Sequence, residues 1–507
     1  MEHYTCGIDI GTSSTKAVVF DPSLRKVFSV SVPYAFTDTR EGAAELDPDQ
    51  VADAVIRCLS RCAAHGAQAG TPLAFASFSS ALHTLMAVDR SGNPLGGCLT
   101  WADVRPMEAI GTVRSFGNIY ERTGCPPHAI YTPAKILWLR RRRPDAYRKA
   151  ARFVTLKEYI LHSLTGRWVA DYGVASGGGL LNLHEKDWDR ELLRALDLDQ
   201  DSLSPLADGA TVLSMTREWE ERIGARFPLV LGSGDGQLAN LGAGAYASRR
   251  FVATVGTSGA VRVFSPRARL DSRGRTWCYM LDRDTYVTGG AVNNGGIVLG
   301  WLRSRLAYEY GEDGVAVPVY EDLSRMAEEV PPGAGGLLFL PFLTGERTPD
   351  WNAAARGVIL GLGMEHGFRH LVRAAMEGVA FRLNANFLVL QELAGEARDV
   401  IISGGVTHSR VWLQILADVL GRPLLLYPGA ENSTLGAVLM GLKALGILDD
   451  YAQAPLPETA ERTVSPDPHN HGIYRELFAL FQQAYDGTRA VIERLQDLRG
   501  TSPCGPS

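Results

Sequence analysis

The apolar and polar positions of the chain follow two repeating patterns. Short runs rich in β-favouring residues predict strands, and longer runs with apolar residues at helical spacing predict helices. The predicted strands include 74–80 and one within 82–92, and the predicted helices include 136–141, 154–166 and about 474–497, with a loop at 455–472. The stretch 228–245 is predicted to form a strand, a Gly-Asp turn and a helix. Alternation of this kind indicates an α/β fold.

A hairpin is predicted at the start of the chain, in the stretch CGIDIGTSSTKAVVFD (6–21). Ile8 and Ile10 flank Asp9 in one strand, and 17–20 form a second apolar run. The link between them, GTSST, is rich in hydroxyls, and its glycine can take the positive φ that turns backbone N–H groups toward an anion. Asp9 could then hold Mg²⁺, which prefers carboxylates beside phosphate oxygens. An ordinary hairpin with a polar tip has the same pattern.

A second copy of this pattern lies half a chain away. Residues 254–265, TVGTSGAVRVFS, align with 9–20, so that Gly256 falls on Gly11 and Thr254 falls on Asp9. A duplication explains the match and predicts two lobes, 1–246 and 247–507. The Gly-Thr-Ser turns of the two lobes would together bind one polyphosphate. Because only one copy carries the carboxylate, the pair suits a single Mg-nucleotide.

Composition narrows the class of protein. The chain has 507 residues and a net charge of −5, with 46% hydrophobic and 21% charged residues, which is typical of a globular protein. The acidic balance argues against a nucleic-acid partner. The seven cysteines are scattered and odd in number, so we expect reduced thiols in the cytoplasm. With no leader pattern and no apolar run that could span a bilayer, we expect a soluble protein without a membrane partner.

Asp235 is the candidate catalytic base. It lies in GSGDGQ, between a predicted strand and a predicted helix. A carboxylate at the carboxyl end of a strand is accessible to a ligand and could accept the proton of a hydroxyl that attacks a γ-phosphate. A helix N-cap is the alternative, because aspartate is well suited to that position.

Two stretches run from glycine into an amphipathic helix, AVNNGGIVLGWL (291–302) and ISGGVTHSRVWLQILADVLGRPL (402–424). Gly404 and Gly405 would let a planar group approach the backbone, which favours a cradle for a purine and its ribose. A plain glycine pair at a helix start is the alternative.

A polar cluster with an indole predicts a site for a polyhydroxylated ligand. It comprises His83 in SSALHTLMAVD and Trp101, Asp103 and Arg105 in LTWADVR. On a strand, Asp103 and Arg105 would project from the same side as Trp101. Taken singly, each of these residues is also common in a protein core.

Together these motifs resemble the FGGY family of carbohydrate kinases, over nearly the whole chain. The resemblance rests on DIGTSSTKAVVFD, TWADVR, GSGDGQLANLGAGA, ATVGTSGAVR, LPFLTGERTPDWNAAARGVILGL and SGGVTHSRVWLQILADVLGRPL. It implies a duplicated actin-like (ribonuclease-H-like) α/β fold with two lobes around a nucleotide cleft. Within the family, stretches such as GGAVNNGGIVLGWLR resemble the gluconokinase branch. That branch implies ATP- and Mg²⁺-dependent phosphorylation of D-gluconate at its terminal hydroxyl, giving 6-phosphogluconate.

The resemblance also implies a role for each matching residue. Asp9 would lie at the metal, Asp235 would be the base, and Gln237 would lie close to it. The nucleotide would contact Gly11, Thr12, Ser13, Lys16, Gly256, Thr257, Gly296, Gly300, Gly404, Gly405 and Ser409, and the sugar would contact His83, Trp101, Asp103, Arg105, Asp235 and Gln237. On charge alone, Arg105 or Lys135 is the candidate cation for the carboxylate of gluconate.

Three segments depart from the family pattern, at 128–130, 177–178 and 406–408. Because of these departures, the substrate could instead be another sugar, such as xylulose or ribulose. An actin-like or chaperone-like ATP-binding module is an alternative of a different class, although such a module needs no sugar pocket. The expected partner is a small sugar or sugar acid, and a homodimer is compatible with this interpretation.

Overall fold

The computed structural model describes residues 3–246, 249–306, 309–311, 314–316, 318–427, 431–454 and 460–501. Residue 247, where the second lobe was predicted to begin, lies outside the described residues, as do 455–459 of the predicted loop and Cys504. The other six cysteines are buried and unpaired. Among the described helices, none combines the length and the apolar character that a membrane crossing requires.

The first sheet has six strands. In sheet order they are Val212–Leu213, Leu229–Gly234, Leu73–Ser80, Tyr4–Ile10, Ser14–Phe20 and Lys26–Pro33. The last three form an antiparallel meander, whereas Tyr4–Ile10 pairs in parallel with Leu73–Ser80, which pairs in parallel with Leu229–Gly234. The predicted first hairpin is therefore confirmed.

The second sheet repeats this arrangement. Its strands, in sheet order, are Trp277–Met280, Tyr286–Val292, Gly259–Ser265, Arg250–Val255, Asp399–Ser403, Leu424–Leu426 and Arg462–Val464. Arg250–Val255 forms an antiparallel hairpin with Gly259–Ser265 and pairs in parallel with Asp399–Ser403, as its counterpart does in the first sheet. The duplicated α/β fold predicted from the repeated Gly-Thr-Ser turns is confirmed.

Helices cover both sheets. The longer ones are Pro48–Gln68, Thr132–Arg142, Leu156–Thr165, Asp235–Gly242, Ile297–Arg305, Tyr320–Glu328, Phe368–Ala394, Arg410–Leu420, Asn432–Ala444 and Pro468–Thr501. The shorter ones are Ile110–Arg114, Ile119–Thr123, Pro144–Lys149, Tyr172–Gly178, Arg190–Leu196 and Arg217–Ile223, and the 3₁₀ turns are Arg40–Gly42, Arg105–Ala109, Gln200–Ser202, Gly405–His408 and Tyr451–Gln453.

The remaining strands form two-stranded pairs. They are Glu45–Leu46 with Cys98–Leu99, Met86–Val88 with Arg152–Val154, Ala170–Asp171 with Leu206–Ala207, Leu181–Asn182 with Asp187–Trp188, Leu338–Leu340 with Val358–Leu360, and Glu309–Gly311 with Gly314–Ala316.

The strand predicted within 82–92 is confirmed as Met86–Val88. It begins after His83, whose φ of +62° a strand does not allow. One predicted boundary was wrong. The predicted loop ends earlier than expected, since the last helix begins at Pro468. Asp467 caps it by accepting hydrogen bonds from the N–H groups of His469 (2.8 Å) and Asn470 (3.1 Å).

One helix from the second half of the chain packs on the first sheet. Asn432–Ala444 lies against Tyr4–Ile10, Leu73–Ser80 and helix Asp235–Gly242. The backbones approach closely because glycines line the contact. A Cβ atom on Gly7 would lie 2.2 Å from the Thr434 carbonyl oxygen, and one on Gly436 would lie 2.0 Å from that of Leu238. We call Asn432–Ala444 the crossing helix.

Candidate active site

The first hairpin presents Asp9 at the cleft. Its carboxylate accepts hydrogen bonds from the hydroxyls of Ser79 (2.7 Å) and Ser433 (3.0 Å), the second of which lies on the crossing helix. Burial raises the pKa of Asp9 above its ordinary value, against the effect of these hydroxyls. The turn closes with a hydrogen bond from the Gly11 N–H to the Ser14 carbonyl oxygen (3.1 Å). A partly buried carboxylate therefore stands beside a turn of Gly11, Thr12 and Ser13.

Lys16 lies directly across the hairpin from Asp9. Its ammonium forms an ion pair with Glu431 at 2.6 Å, and Lys26 joins the same carboxylate at 3.1 Å. Two lysines of the first sheet thus hold the start of the crossing helix. The predicted contact of Lys16 with a phosphate stays a prediction.

The second hairpin is joined to a helix start. The Gly296 N–H donates to the Gly256 carbonyl oxygen (2.7 Å), and the Ile297 N–H donates to that of Thr257 (3.1 Å). A Cβ atom on Gly296 would lie 2.8 Å from the Gly256 oxygen, so this approach requires glycine. The second Gly-Thr-Ser turn and helix Ile297–Arg305 therefore form one unit.

A cavity of about 1010 Å³ opens beside this unit. Six predicted nucleotide-binding residues line it, namely Gly256, Thr257, Gly296, Gly300, Gly405 and Ser409. Gly404 is not among the lining residues. Its φ is +92°, and a Cβ atom there would lie 2.5 Å from the Val255 carbonyl oxygen, so Gly404 permits the close approach of two strand ends.

Sequence reasoning missed the aromatic walls of this cavity. Trp301, Tyr320 and Trp412 line it, together with Ile297 and Ser324. The amphipathic helix after Gly296 signalled Trp301, but no motif signalled Tyr320. Flat rings beside glycine backbone can accept a planar base.

Asp235 lies at the first turn of its helix, at the end of strand Leu229–Gly234. The N-cap is Gly234, so the alternative role of Asp235 as the N-cap is wrong. Its carboxylate accepts a hydrogen bond from the Gly236 N–H (2.7 Å). Burial, and next the charge of Asp9, raise its pKa from 3.8 to about 6. Asp9 and Asp235 are thus close enough to repel each other when both are ionised.

Gln237 is buried in the first turn of the same helix. Its amide N–H donates to the carbonyl oxygens of Gly173 (3.1 Å) and Met280 (3.3 Å). Within the described part of the chain, its Oε1 atom has no hydrogen-bond partner. Gln237 thus links helix Tyr172–Gly178 to strand Trp277–Met280 of the second sheet, close to Asp235.

His83 lies in a pocket of aromatic side chains. Its Nδ1 atom is 2.8 Å from the Gly177 carbonyl oxygen, and the rings of Tyr131 and Tyr279 meet it edge-on at 5.3 and 6.0 Å. The two tyrosine hydroxyls form a 2.8 Å hydrogen bond with each other. Burial, and next the Lys135 charge, lower the pKa of His83 to about 3, so the imidazole is neutral near pH 7.

Trp101, Asp103 and Arg105 do not lie in a strand, so the strand prediction for this stretch was wrong. The strand ends at Leu99, and Arg105 begins a 3₁₀ turn. Trp101 is 43% exposed, whereas Asp103 is buried and accepts hydrogen bonds from the Ala44 N–H (3.2 Å) and the Arg105 Nε–H (3.0 Å). Asp103 and Arg105 therefore contact each other whereas Trp101 is exposed, and any sugar contact of each stays a prediction.

Comparisons with known proteins agree with this geometry. The models of the N-terminal and C-terminal domains of the FGGY family of carbohydrate kinases match residues 4–242 and 251–445. The gluconokinase of Bacillus subtilis (strain 168) is 36% identical over 96% of this chain and 97% of its own length.

Two solved structures from Lactobacillus acidophilus are also similar, a gluconate kinase and a ligand-bound xylulose kinase. Each has a TM-score of 0.91 and 30% identity, covers 97% of this chain, and is itself covered over 99% and 100% of its length, respectively. The chain belongs to the FGGY family of carbohydrate kinases.

Proposed function

We propose that the protein transfers the γ-phosphoryl group of ATP to the terminal hydroxyl of D-gluconate, giving 6-phospho-D-gluconate. The observation that carries this proposal is the partly buried carboxylate of Asp235, which lies beside Asp9 at a cleft with a Gly-Thr-Ser turn in each lobe. The 36% identity to a gluconokinase over nearly the whole chain supports gluconate as the acceptor.

In this proposal the nucleotide base and ribose occupy the cavity between Trp301, Tyr320 and Gly405. The phosphates run from Gly256 and Thr257 toward the turn at Gly11. ATP supplies the phosphoryl group, and bound Mg²⁺ supplies positive charge that offsets the charge of the phosphates. Backbone N–H groups at both turns would hold the phosphate oxygens.

The residues present suit Mg²⁺. Asp9 is an oxygen ligand held by two hydroxyls, and a cation there would relieve the repulsion between Asp9 and Asp235. Among the described residues, no group of three His, Cys, Asp or Glu side chains gathers into a metal site. This fits an ion that takes one or two carboxylates from the protein and its other ligands from phosphate and water.

Asp235 would accept the proton of the attacking hydroxyl. A base is most effective when its pKa is near the working pH, and a pKa of about 6 leaves most of the Asp235 carboxyl ionised at pH 7. His83, Trp101, Asp103, Arg105 and Gln237 would surround the acceptor. The neutral imidazole of His83 can donate or accept hydrogen bonds with sugar hydroxyls.

Further parts of the proposal concern the whole molecule. We infer that the lobes divide near residue 246, since the two sheets use strands on either side of it. A cytoplasmic location and a homodimer are proposed with it. Nucleic acid is not an expected partner, given the net charge of −5.

A coupled ADP-release assay with ATP and Mg²⁺ tests the acceptor. The panel contains D-gluconate, D-xylulose, D-ribulose, L-ribulose and glycerol, and the variants are Asp235→Asn and the exposed control Asp53→Asn. Gluconate-dependent turnover that is lost only in Asp235→Asn is the expected result. Turnover on xylulose alone would contradict gluconate as the acceptor but would leave the role of Asp235 as the base intact. The similarity to a xylulose kinase is the reason to include this sugar.

A further inference from the structure

A sugar acid differs from a neutral sugar by its carboxylate, and a carboxylate in a closed cleft needs a cation to replace its water. Cations near the sugar side of the cleft include Lys135, Arg105, Arg262 and Arg347. Their partners within the protein decide which of them is free to meet an anion.

Arg105 already has carboxylate partners. Its guanidinium forms ion pairs with Glu45 and Asp103, and Arg143 also pairs with Glu45. Two carboxylates and two guanidiniums thus neutralise one another. Arg105 also lies over the Trp138 ring at 4.4 Å, which fixes its orientation. A substrate carboxylate would have to compete with two carboxylates that are already in place.

Lys135 is also occupied. It is fully buried, and its ammonium donates to the backbone carbonyl oxygens of His83 and Thr100, the latter at 2.8 Å. Burial lowers its pKa to about 7. Lys135 therefore holds the backbone beside His83.

Arg262 faces the cleft because of its strand register. In strand Gly259–Ser265, Val261 and Val263 belong to the core of the second lobe, so Arg262 projects from the opposite face. Its Nε atom lies 3.4 Å from the position of a Cβ atom on Gly236, next to Asp235. Among the described residues, none forms a hydrogen bond or an ion pair with this guanidinium.

Arg347 lies near Arg262, because its guanidinium reaches Val292 on the strand that pairs with the strand of Arg262. Its loop is fixed because Thr348 donates both its N–H (3.2 Å) and its hydroxyl (2.9 Å) to the Ala291 carbonyl oxygen. The Arg347 guanidinium reaches one backbone oxygen, that of Val292 at 3.3 Å, and its Nε–H has no partner in the described structure. After burial, the Arg347 charge is the largest cause of the lowered pKa of His128, about 4, so Arg347 faces the histidine side of the pocket.

Among the described residues, no carboxylate forms an ion pair with either guanidinium, although the charge of Glu346 attracts Arg347. Glu346 accepts hydrogen bonds from the Asn293 N–H (2.7 Å) and from the backbone N–H of Arg347 (2.9 Å). Asp235 attracts Arg262 but is needed as the base. Burial lowers the pKa of Arg262, and the Arg347 charge adds to that effect, so the two guanidiniums repel each other across the pocket.

We propose that Arg262 and Arg347 together bind the carboxylate of the sugar-acid substrate and so select an acid over a neutral sugar. This rests on the proposed function. Tyr279 lies near both arginines and is held by its hydrogen bond to Tyr131 and by stacking on Trp277 at 4.3 Å. An anion between two guanidiniums relieves their repulsion and forms charge-assisted hydrogen bonds with both.

The test compares D-gluconate with D-gluconamide, which has the same length and hydroxyls but no charge. Arg347→Gln and Arg262→Gln should each raise KM for gluconate by roughly 10- to 100-fold, because a charge-assisted pair is lost. KM for gluconamide should change less than about threefold, since a neutral amide makes no charge-assisted pair. Arg347→Lys should restore part of the preference for the acid, since it restores the charge but not the planar fork. Arg398→Gln, whose guanidinium pairs with Asp399 on the surface, is the matched control and should change neither value.

Thermal unfolding of each variant separates binding from folding. If Arg347→Gln fails to fold, Arg347→Lys and Arg262→Gln make the same comparison. Equal losses on both substrates, or a gluconate-selective loss in Arg105→Gln alone, would overturn the arginine assignment and leave the proposed function intact. If the wild-type protein neither phosphorylates D-gluconate in the turnover assay nor binds it in calorimetry, both the arginine assignment and the proposed function would be overturned.

Discussion

Replacing Asp235 with asparagine should make the protein inactive and, near neutral pH, more stable. Burial and the charge of Asp9 raise the pKa of Asp235 from 3.8 to about 6. A carboxyl whose pKa is higher in the folded state than in the unfolded state destabilises the fold whenever it is ionised. Asparagine keeps the shape of the side chain without the charge, so Asp235→Asn removes this cost.

The size of the effect follows from the two pKa values. Their difference, at about 1.36 kcal/mol for each pH unit, gives a gain of about 3 kcal/mol. Below about pH 4 the carboxyl is protonated in both states and the gain vanishes. It grows between about pH 4 and 6, reaches about half its full size at pH 5, and is constant above that interval. With about 2.1 cal/mol/K of unfolding entropy per residue, 3 kcal/mol raises the Tm of a 507-residue chain by about 3 °C.

Calorimetric scans without ligand at pH 5 and pH 8 check this prediction. Asp53→Asn is the control, because that side chain is 66% exposed and its charge has no burial cost to remove. The Tm of Asp235→Asn should exceed that of the wild type at pH 8, by about twice the difference seen at pH 5. An equal or lower Tm at pH 8 would refute the inference that ionised Asp235 strains the fold.

Three further predictions concern catalysis, packing and the nucleotide. As the pH falls below about 6, kcat/KM should drop about tenfold per unit because Asp235 becomes protonated, and a flat profile between pH 5 and 8 would contradict its role as base. Gly436→Ala should lower stability by at least about 2 kcal/mol in thermal unfolding, whereas Gly472→Ala, in open space on the last helix, should raise it by about 1 kcal/mol. Trp301→Ala should raise KM for ATP and leave KM for gluconate unchanged in initial-rate assays; equal rises would place Trp301 outside the nucleotide pocket.

The hairpins could be predicted because their signals are local. Alternation of apolar and polar residues, with a short hydroxyl-rich link, fixes both the strands and the turn, and the repeat located the second hairpin from the first. The error at Trp101, Asp103 and Arg105 came from extending this reasoning to residues that are not in a strand.

Contacts between distant segments could not be predicted in this way. Ser433 donates to Asp9 across 424 residues of sequence, and Glu431 pairs with Lys16 across 415. No local pattern connects these pairs, because they depend on where the crossing helix packs. The same holds for Tyr320, which reaches the nucleotide cavity from a helix that carried no motif.

The crossing helix also has a consequence for biosynthesis. It covers an apolar face of the first sheet that includes Val18, Phe75 and Val230, and it is translated after every strand of that sheet. A nascent chain therefore exposes this face until about 200 further residues have been translated. Two separately expressed fragments, divided near residue 246, should each be poorly soluble and should recover when they are produced in the same cell. The first lobe thus needs a helix from the second half of the chain to complete its core, although each lobe has a sheet of its own.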